Sequence, residues 1–530
     1  MPLPTGMVFV GANSRVFENA CFIVLKVTES CNLGCHYCCS ETVSARNVHV
    51  MPSEVFRTIV DRLLEQSKAP RIGICFHGGE PMLAPLSWFR SNMDWAQGRA
   101  AEKGKSIFWL MQSNCTIVTD EFAKLVADYD IDVGTSLDGT PEISDEYRQE
   151  GAQVVEGIRK LEKARKLPGV IALITPKNWD RWPEIVEWFH RERILDLKVN
   201  IYYNLGRGRG LEAMTPEKMF AAKKVLLDHM IETRGRGVQD VNLKFMVEWF
   251  ALGLRAPSMD MKHGCNAFFC GAGSTHFGFQ PNGDFYPCGR GSLRYDWKLG
   301  NIRDIESADA LDRYKEVHED FHAKNGKWAE CVHCDAKRIC SFSCTAFYRK
   351  THDNMELECV FTKMMYAHFM ERRDSIVGLA ADLKTARDTG RSFVDVEGMV
   401  PDARLDGHHF GEIGSSLAGS LVAMRHDRRY LAAGGQEIEF STPAVDVVKY
   451  EGRTFCYQKS LDKLFEIDRI VYEALRLVDL FGRDGTCETL VSRHGEERAF
   501  AAVEEALRLS QSSAPPVQSA APPLLSAAAR

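Results

Sequence analysis

Three cysteines in one short stretch, Cys31-Asn32-Leu33-Gly34-Cys35-His36-Tyr37-Cys38, carry the strongest chemical signal in this chain. The C-x3-C-x2-C spacing offers three thiolates from a single loop. That is one fewer than the four cysteines a protein normally uses to hold a [4Fe-4S] cluster. A cluster held this way keeps one iron open, and an open position is what lets a catalytic metal centre bind a small molecule. A zinc knuckle is the competing reading of the same loop. Downstream, His77-Gly78-Gly79-Glu80-Pro81 joins two glycines, which permit close backbone approach, to a carboxylate able to receive an ammonium group. Ser136-Leu137-Asp138-Gly139 supplies a short hydroxyl, and Arg148 follows with a guanidinium suited to a carboxylate or a ribose. Eight more cysteines, Cys265, Cys270, Cys288, Cys331, Cys334, Cys340, Cys344 and Cys359, also fall into metal-type spacings.

These residues need elements that bring them to one place. Between Cys21 and Asn204, short apolar runs alternate with longer amphipathic stretches. Strands are expected at Phe22–Val27, Ile72–Phe76, Ile107–Met111, Val133–Ser136, Val170–Ile174 and Leu197–Tyr203. Helices are expected at Pro52–Gln66, Asp120–Tyr129, Val154–Lys166 and Trp182–Arg193. Such alternation reads as a parallel α/β sheet or barrel, where chemistry gathers at the C-terminal ends of the strands. The cysteine loop, Gly78–Glu80, Gln112-Ser113-Asn114 and Ser136–Gly139 each follow or end one of these strands. A Gly/Arg-rich loop, Gly206–Gly210, then leads into a helical stretch reaching about Leu254. Gln280–Cys288 reads as a hairpin turning at Asn282-Gly283. It lies in a loop-rich segment, Cys265 to Cys359, where metals would replace a hydrophobic core. A helix is expected over Thr362–Thr385, and residues 395–440 remain unassigned. Short strands (Lys449–Tyr450, Thr454–Tyr457, Leu464–Ile467) and helices (Asp468–Phe481, Cys487–His494, Glu496–Leu509) close the ordered chain. The Ala/Ser/Pro-rich tail after Ser510 reads as disordered.

The length of 530 residues calls for about two to four domains. With 66 basic and 72 acidic residues, a net charge of −6 and no basic block, a nucleic-acid substrate is disfavoured. No apolar run reaches membrane-spanning length, and the first twenty residues show no secretory signal. Disulfide scaffolds are smaller and denser in cysteine, so a reducing, cytoplasmic setting is expected. The six remaining cysteines, Cys21, Cys39, Cys75, Cys115, Cys456 and Cys487, read mostly as apolar packing.

The cysteine loop, with an aromatic residue just before its third cysteine, resembles that of the radical S-adenosylmethionine (SAM) enzymes. The resemblance implies a partial (β/α)6 barrel and an open cluster iron that chelates the amino and carboxylate groups of SAM. Reductive cleavage of SAM then yields a 5′-deoxyadenosyl radical that abstracts hydrogen from the substrate. It further implies that Gly78, Gly79 and Glu80 bind the SAM amino group, that Ser136 and Arg148 contact SAM, and that Tyr37 stacks near the adenine. Gln112-Ser113-Asn114 resembles the Gln-Thr-Asn of the same group and would face SAM or substrate. The later cysteines, C-x12-G-x4-C followed by C-x2-C-x5-C-x3-C and Cys359, resemble the SPASM extension of enzymes that modify ribosomally made peptides and proteins. With Cys265 upstream, that family implies two auxiliary four-cysteine clusters. Cys265, Cys270, Cys288 and Cys344 would hold one, and Cys331, Cys334, Cys340 and Cys359 the other, whereas spacing alone would group Cys331 to Cys344.

The resemblance covers about residues 20–365 and does not fix the reaction. Sulfatase maturases carry an Asp directly after the cysteine matching Cys288, acting as base, and this chain has Gly289 there. No catalytic acid or base can be named. The stretch 441–509 resembles, in layout, small PqqD-like modules that bind the leader of a precursor peptide as an added strand. The expected organisation is an arm (1–20), a radical SAM core (21–235), a SPASM domain (236–375), a small α+β C-terminal module (376–510) and a tail (511–530). The expected activity is oxidative modification, by crosslinking, of a ribosomally made peptide or protein, with three [4Fe-4S] clusters, SAM and a flavodoxin- or ferredoxin-type reductant. Single-residue oxidation of a protein or small substrate is the alternative, and a non-catalytic iron–sulfur electron carrier is the alternative from another class.

Overall fold

The computed structural model describes residues 13–40, 42–252, 271–290, 297–322, 334–340, 344, 346, 352–388, 437–441, 445–450, 453–458, 463–467 and 469–510. Two compact units divide the chain, Met1–His426 and Asp427–Arg530.

The first unit is built on six parallel strands in chain order: β1 (Phe22–Thr28), β2 (Arg71–Gly78), β3 (Ser106–Gln112), β4 (Asp132–Ser136), β5 (Gly169–Ile174) and β6 (Asp196–Ile201). Helices α1 (Ser53–Gln66), α2 (Leu86–Glu102), α3 (Asp120–Asp128), α4 (Gly151–Lys163) and α5 (Trp182–Arg191) connect them. Side chains alternate across a strand, and β2 shows the consequence. Ile72, Ile74 and Phe76 enter the core under α1 and α2, where the Phe76 ring meets Phe56, Phe89 and Trp109 at centroid distances of 6.5, 5.1 and 5.5 Å. Cys75 and His77 therefore lie on the opposite, inner face, and Lys26, the register partner of His77 on β1, shares it.

The sheet continues at both edges. A short strand β7 (Gln239–Asp240) pairs with β6, fixed by the buried Lys223–Asp240 ion pair, with Lys223 Nζ also donating to the Val199 carbonyl at 2.7 Å. On the other side β8 (His276–Phe279) runs parallel to β1 and forms a hairpin with β9 (Asp284–Tyr286), followed by β10 (Gly300–Asn301). The expected turn at Asn282-Gly283 is present, Gly283 N–H donating to the Gln280 carbonyl at 3.0 Å. Against the sequence expectation, the helical stretch after Gly210 is two helices, α6 (Pro216–Glu232) and α7 (Val241–Leu252). Arg234 and Gly235, both with positive φ, break it so that β7 can join the sheet beyond residue 235. Helix α8 (Ala308–His322) follows the hairpin region. The helix expected over Thr362–Thr385 is likewise two, α9 (His352–Glu371) and α10 (Arg373–Asp388). Ile376, Leu379 and Leu383 of α10 share a core with Leu226 of α6 and Leu243 of α7. Residues 376–388 thus pack in the first unit rather than in the C-terminal module.

The second unit contains a four-stranded antiparallel meander, β11 (Glu437–Ser441), β12 (Val445–Tyr450), β13 (Arg453–Gln458) and β14 (Lys463–Ile467), then helices α11 (Arg469–His494) and α12 (Glu496–Ser510). The sequence reading expected three strands and three helices. The additional strand comes from the stretch left unassigned. The expected break after Phe481 is absent because Gly482 and Gly485 stay helical. Their propensity cost, about 1 kcal/mol each, is offset by Cys487 and Leu490 packing with Ala502, Val503 and Ala506. The tail 511–530 lies outside the described residues. Among the described residues no helix is long and apolar enough to cross a membrane.

Candidate active site

The cysteine loop leaves β1 and is tied to the ends of several neighbouring strands. Gly79 N–H donates to the Thr28 carbonyl and Glu80 N–H to the Ser30 carbonyl, each at 2.8 Å. A Cβ on Gly78 or Gly79 would collide with the Thr28 or Ser30 carbonyl oxygen, so the glycine pair lets the end of β2 lie directly on the start of the loop. Further along, His36 N–H donates to the Tyr147 carbonyl at 2.8 Å and Gly34 N–H to Gln149 Oε1 at 3.0 Å. The Gly/Arg-rich loop closes the far end. Arg207 N–H donates to the Cys38 carbonyl at 3.1 Å, and a Cβ on Gly206 would stand 2.5 Å from that same oxygen.

Glu80 is buried, 1% exposed, and held by three protein donors. Its Oε1 accepts from Met82 N–H (2.9 Å) and Ser113 Oγ–H (2.8 Å), and its Oε2 from Asn114 N–H (2.7 Å). Burial raises its pKa to about 7, against these hydrogen bonds, which act to lower it. A carboxylate has room for about four donors, so one position remains for an ammonium. Glu80 therefore also fastens the end of β2 to the Gln112–Asn114 end of β3. Asn114 extends the link to the loop, its Nδ2 donating to Asn32 Oδ1 at 2.9 Å and lying 3.9 Å from Cys31 Sγ. Gln112 points elsewhere, with Nε2 3.3 Å from Ser136 Oγ.

Asp138 is the second hub. Its Oδ1 accepts from Leu173 N–H at 2.9 Å, and its Oδ2 accepts from Arg148 Nε–H at 3.1 Å and from the Tyr37 hydroxyl. The Arg148 guanidinium lies over the Tyr37 ring, 5.2 Å from its centroid, and its charge opposes the rise that burial imposes on the Cys35 thiol. Both terminal nitrogens of Arg148 make no hydrogen bond or ion pair with any described residue. The Tyr37 ring packs against Tyr147 and Tyr202, at 5.7 and 6.2 Å, and its hydroxyl is taken by Asp138, so the side chain anchors the loop. Sequence reasoning had Asp138 only as part of a turn. Its sole signal was an acid beside Gly139, ten residues before an arginine.

The three loop thiols are free cysteines. All are partly exposed, and Leu33 N–H lies 3.4 Å from Cys31 Sγ as a donor to sulfur. Burial raises the Cys31 thiol to about 11. Among the described residues no group of three or more His, Cys, Asp or Glu side chains forms a ready-made metal-ion site. Of the later cysteines, Cys265, Cys270 and Cys331 lie outside the described residues. Cys288 and Cys344 both pack against the core that covers β1–β3. Cys334 and Cys340 flank a short 3-10 turn, Asp335–Arg338, packed against α9, the helix that carries Cys359; Ile339 and Phe361 share the other core.

The radical SAM superfamily model matches residues 25–189, and the model of the SPASM iron–sulfur cluster-binding domain matches residues 270–335. A cysteine-type anaerobic sulfatase-maturating enzyme of Clostridium perfringens is 26% identical over 367 residues, 66% of this chain and 95% of the relative. A serine-type anaerobic sulfatase-maturating enzyme of Bacteroides thetaiotaomicron is 25% identical over 358 residues, 62% of this chain and 83% of the relative. The solved structure of a tagged anSMEcpe with bound AdoMet superposes with a TM-score of 0.56 at 21% identity, covering 74% of this chain and 99% of that one. The parallel sheet, the cysteine loop at its C-terminal edge and both domain matches agree: the chain is a radical SAM protein with a SPASM extension, related to the anaerobic sulfatase maturases.

Proposed function

We propose that this protein is a radical SAM oxidoreductase that crosslinks a ribosomally made peptide or protein. One observation carries the reading. The Cys31–Cys38 loop is held in place by the end of β2, which presents Glu80, and by Tyr147 and Gln149, which flank Arg148, whose terminal nitrogens make no hydrogen bond with any described residue. Cys31, Cys35 and Cys38 would hold the SAM-binding cluster. Gly78, Gly79 and Glu80 receive the SAM ammonium, Arg148 its carboxylate or ribose, and Ser136 the ribose, while Tyr37 fixes the loop beside it. The remaining cysteines would hold two auxiliary [4Fe-4S] clusters in the crossed grouping. Cys288 and Cys344 pack against one core, whereas Ile339 and Phe361, close in sequence to Cys340 and Cys359, belong to the other, which supports that grouping. When bound, these groups supply an electron for SAM cleavage, a 5′-deoxyadenosyl radical for hydrogen abstraction and an acceptor for the second electron.

A peptide substrate is supported by the related structure of native anSMEcpe, solved with bound AdoMet and the Cp18Cys peptide. In the second unit β11 and β14 are the sheet edges, and an edge strand is where a precursor leader can add. A flavodoxin- or ferredoxin-type protein would supply electrons. The test is to incubate holoenzyme, SAM, reductant and a precursor peptide encoded beside its gene. The expected products are 5′-deoxyadenosine and a peptide lighter by two hydrogen atoms, with fragmentation suppressed between the joined residues. Single-residue oxidation, favoured by the sulfatase-maturase relatives, would leave fragmentation intact, with the same mass loss at a serine and a larger one at a cysteine, whose thioaldehyde exchanges sulfur for oxygen from water. An unchanged mass would overturn both.

A further inference from the structure

The inner face of β1 and β2 carries a polar group that neither SAM nor the clusters require. His77 stands at the mouth of the barrel on the inner face, paired in register with Lys26. Its Nδ1 accepts from Gly78 N–H at 2.7 Å, which places the ring proton on Nε2. That nitrogen has no hydrogen-bond partner among the described residues, although the ring is only partly exposed. The side chain one step along the neighbouring strand on the same face is Gln112, whose amide is turned away toward Ser136.

Two cationic side chains, Lys26 and Arg290, act on His77. Burial depresses its pKa to about 4, reinforced by Lys26 and Arg290, so the ring is a neutral donor. Burial also lowers the Lys26 pKa, while Glu29, Cys39 and Cys38 work to keep it charged. Arg290 arrives from the segment after β9. Its neighbour Gly289 lies against Val24, two residues before Lys26 on the same inner face, where a Cβ would stand 3.0 Å from Val24 Cγ1. A donor N–H thus faces the barrel interior beside two cationic side chains from two other elements.

We propose that His77, with Lys26 and Arg290 beside it, is a substrate-binding residue whose Nε2–H takes a carboxylate oxygen, so that the modified peptide presents an Asp or Glu side chain to the barrel mouth. A neutral donor flanked by cations favours an anionic acceptor over an amide, because a hydrogen bond to an ionised acceptor is about twice as strong. This rests on the peptide-modifying reading above.

The test uses reconstituted holoenzyme with SAM and dithionite. The probes are capped pentapeptides with glycines around a central Glu or Asp, or around the isosteric Gln or Asn. The acidic peptides are expected to change the rate of 5′-deoxyadenosine formation at concentrations about tenfold lower than their amide counterparts. His77→Phe and Lys26→Met should each abolish that preference while SAM cleavage without peptide stays as in the wild type. Equal response to acid and amide, or a preference unchanged in both variants, overturns the proposal. So does loss of peptide-independent cleavage in these variants, which would assign the residues to the cluster. Wild-type enzyme that fails to cleave SAM at all would instead count against the function proposed above.

Discussion

Replacing Asp138 by Asn tests whether this carboxylate aims Arg148. The variant keeps the size of the side chain and, with its oxygen at the acceptor used by Leu173 N–H, turns the atom facing Arg148 Nε and the Tyr37 hydroxyl into an amide NH2, which cannot accept from Arg148. The pair is mostly buried, with side-chain exposures of 13% for Arg148 and 3% for Asp138. Removing one partner of such a pair costs about 3–5 kcal/mol when the remaining charge has no alternative. Arg148 has one, since its partial exposure and its free terminal nitrogens allow it to swing toward water. The destabilisation should therefore fall to about 2 kcal/mol, visible as a lower unfolding temperature of the holoenzyme. The functional loss is separate from this. An Arg148 no longer fixed at Nε pays its own ordering cost on meeting a carboxylate, so the KM for SAM in peptide-independent cleavage should rise about tenfold or more. The rate at saturating SAM and the iron content should change little. Tyr37→Phe removes a second donor from Asp138 but leaves the ion pair, and should leave the KM for SAM near the wild-type value. If Asp138→Asn lowers stability and leaves the KM for SAM untouched, Asp138 is part of the framework only and the aiming argument is refuted.

Three further outcomes follow from the structure. Burial holds the Glu80 pKa at about 7, above the ordinary carboxylate value of 4.5. The folded protein then binds more protons there than the unfolded chain, and stability falls as pH rises from 4.5 to 7, by on the order of 3 kcal/mol. Glu80→Gln should flatten that part of the denaturation profile, and an unchanged profile would contradict the assignment. If all eleven cysteines proposed as ligands hold clusters, about twelve irons per chain are expected after anaerobic reconstitution. Changing Cys31, Cys35 and Cys38 together to Ala should remove about a third of the iron and all SAM cleavage, whereas zinc in place of iron at the later cysteines would refute the auxiliary clusters. Truncation after His426, the boundary of the first unit, should preserve iron content and peptide-independent SAM cleavage but weaken precursor binding; equal modification of the precursor by both forms would rule out leader recognition by the second unit.

The strands and the cysteine loop were legible because each rests on a local rule. Phe22–Val27 and Ile72–Phe76 are apolar runs of strand length, and a C-x3-C-x2-C loop has few structural uses. What escaped the sequence depends on contacts between distant residues. Nothing around Asp138 distinguishes a turn acid from one that receives Arg148, Tyr37 and the backbone of β5, because those partners lie 10, 101 and 35 residues away. The anchoring of Tyr37 escaped for the same reason, since Tyr147 and Tyr202, which its ring meets, lie far along the sequence. The break expected near Phe481 failed because propensity is a weak local term that packing against α12 overrides.

The glycines show how the two kinds of information meet. Gly78 and Gly79 read in sequence as places where a ligand approaches the backbone, and the structure shows that the chain itself also approaches them, at Thr28 and Ser30. Gly206 does the same at Cys38, far along the sequence. The loop that carries the three thiols is thus gripped at its start by β2, along its middle by Tyr147 and Gln149, and at its end by Gly206 and Arg207. Such a loop loses little further freedom when its cysteines take up ligands. Its backbone path is set by bonds that none of the cysteine side chains supplies. An alanine at Gly206 would press a methyl group on the Cys38 carbonyl at a residue whose φ is +58°. The expected result is weakened cluster retention with the barrel intact, read as iron lost on gel filtration under anaerobic conditions at unchanged far-UV circular dichroism. Full iron retention by that variant would show that the cysteines, and not the strand ends, set the shape of the loop.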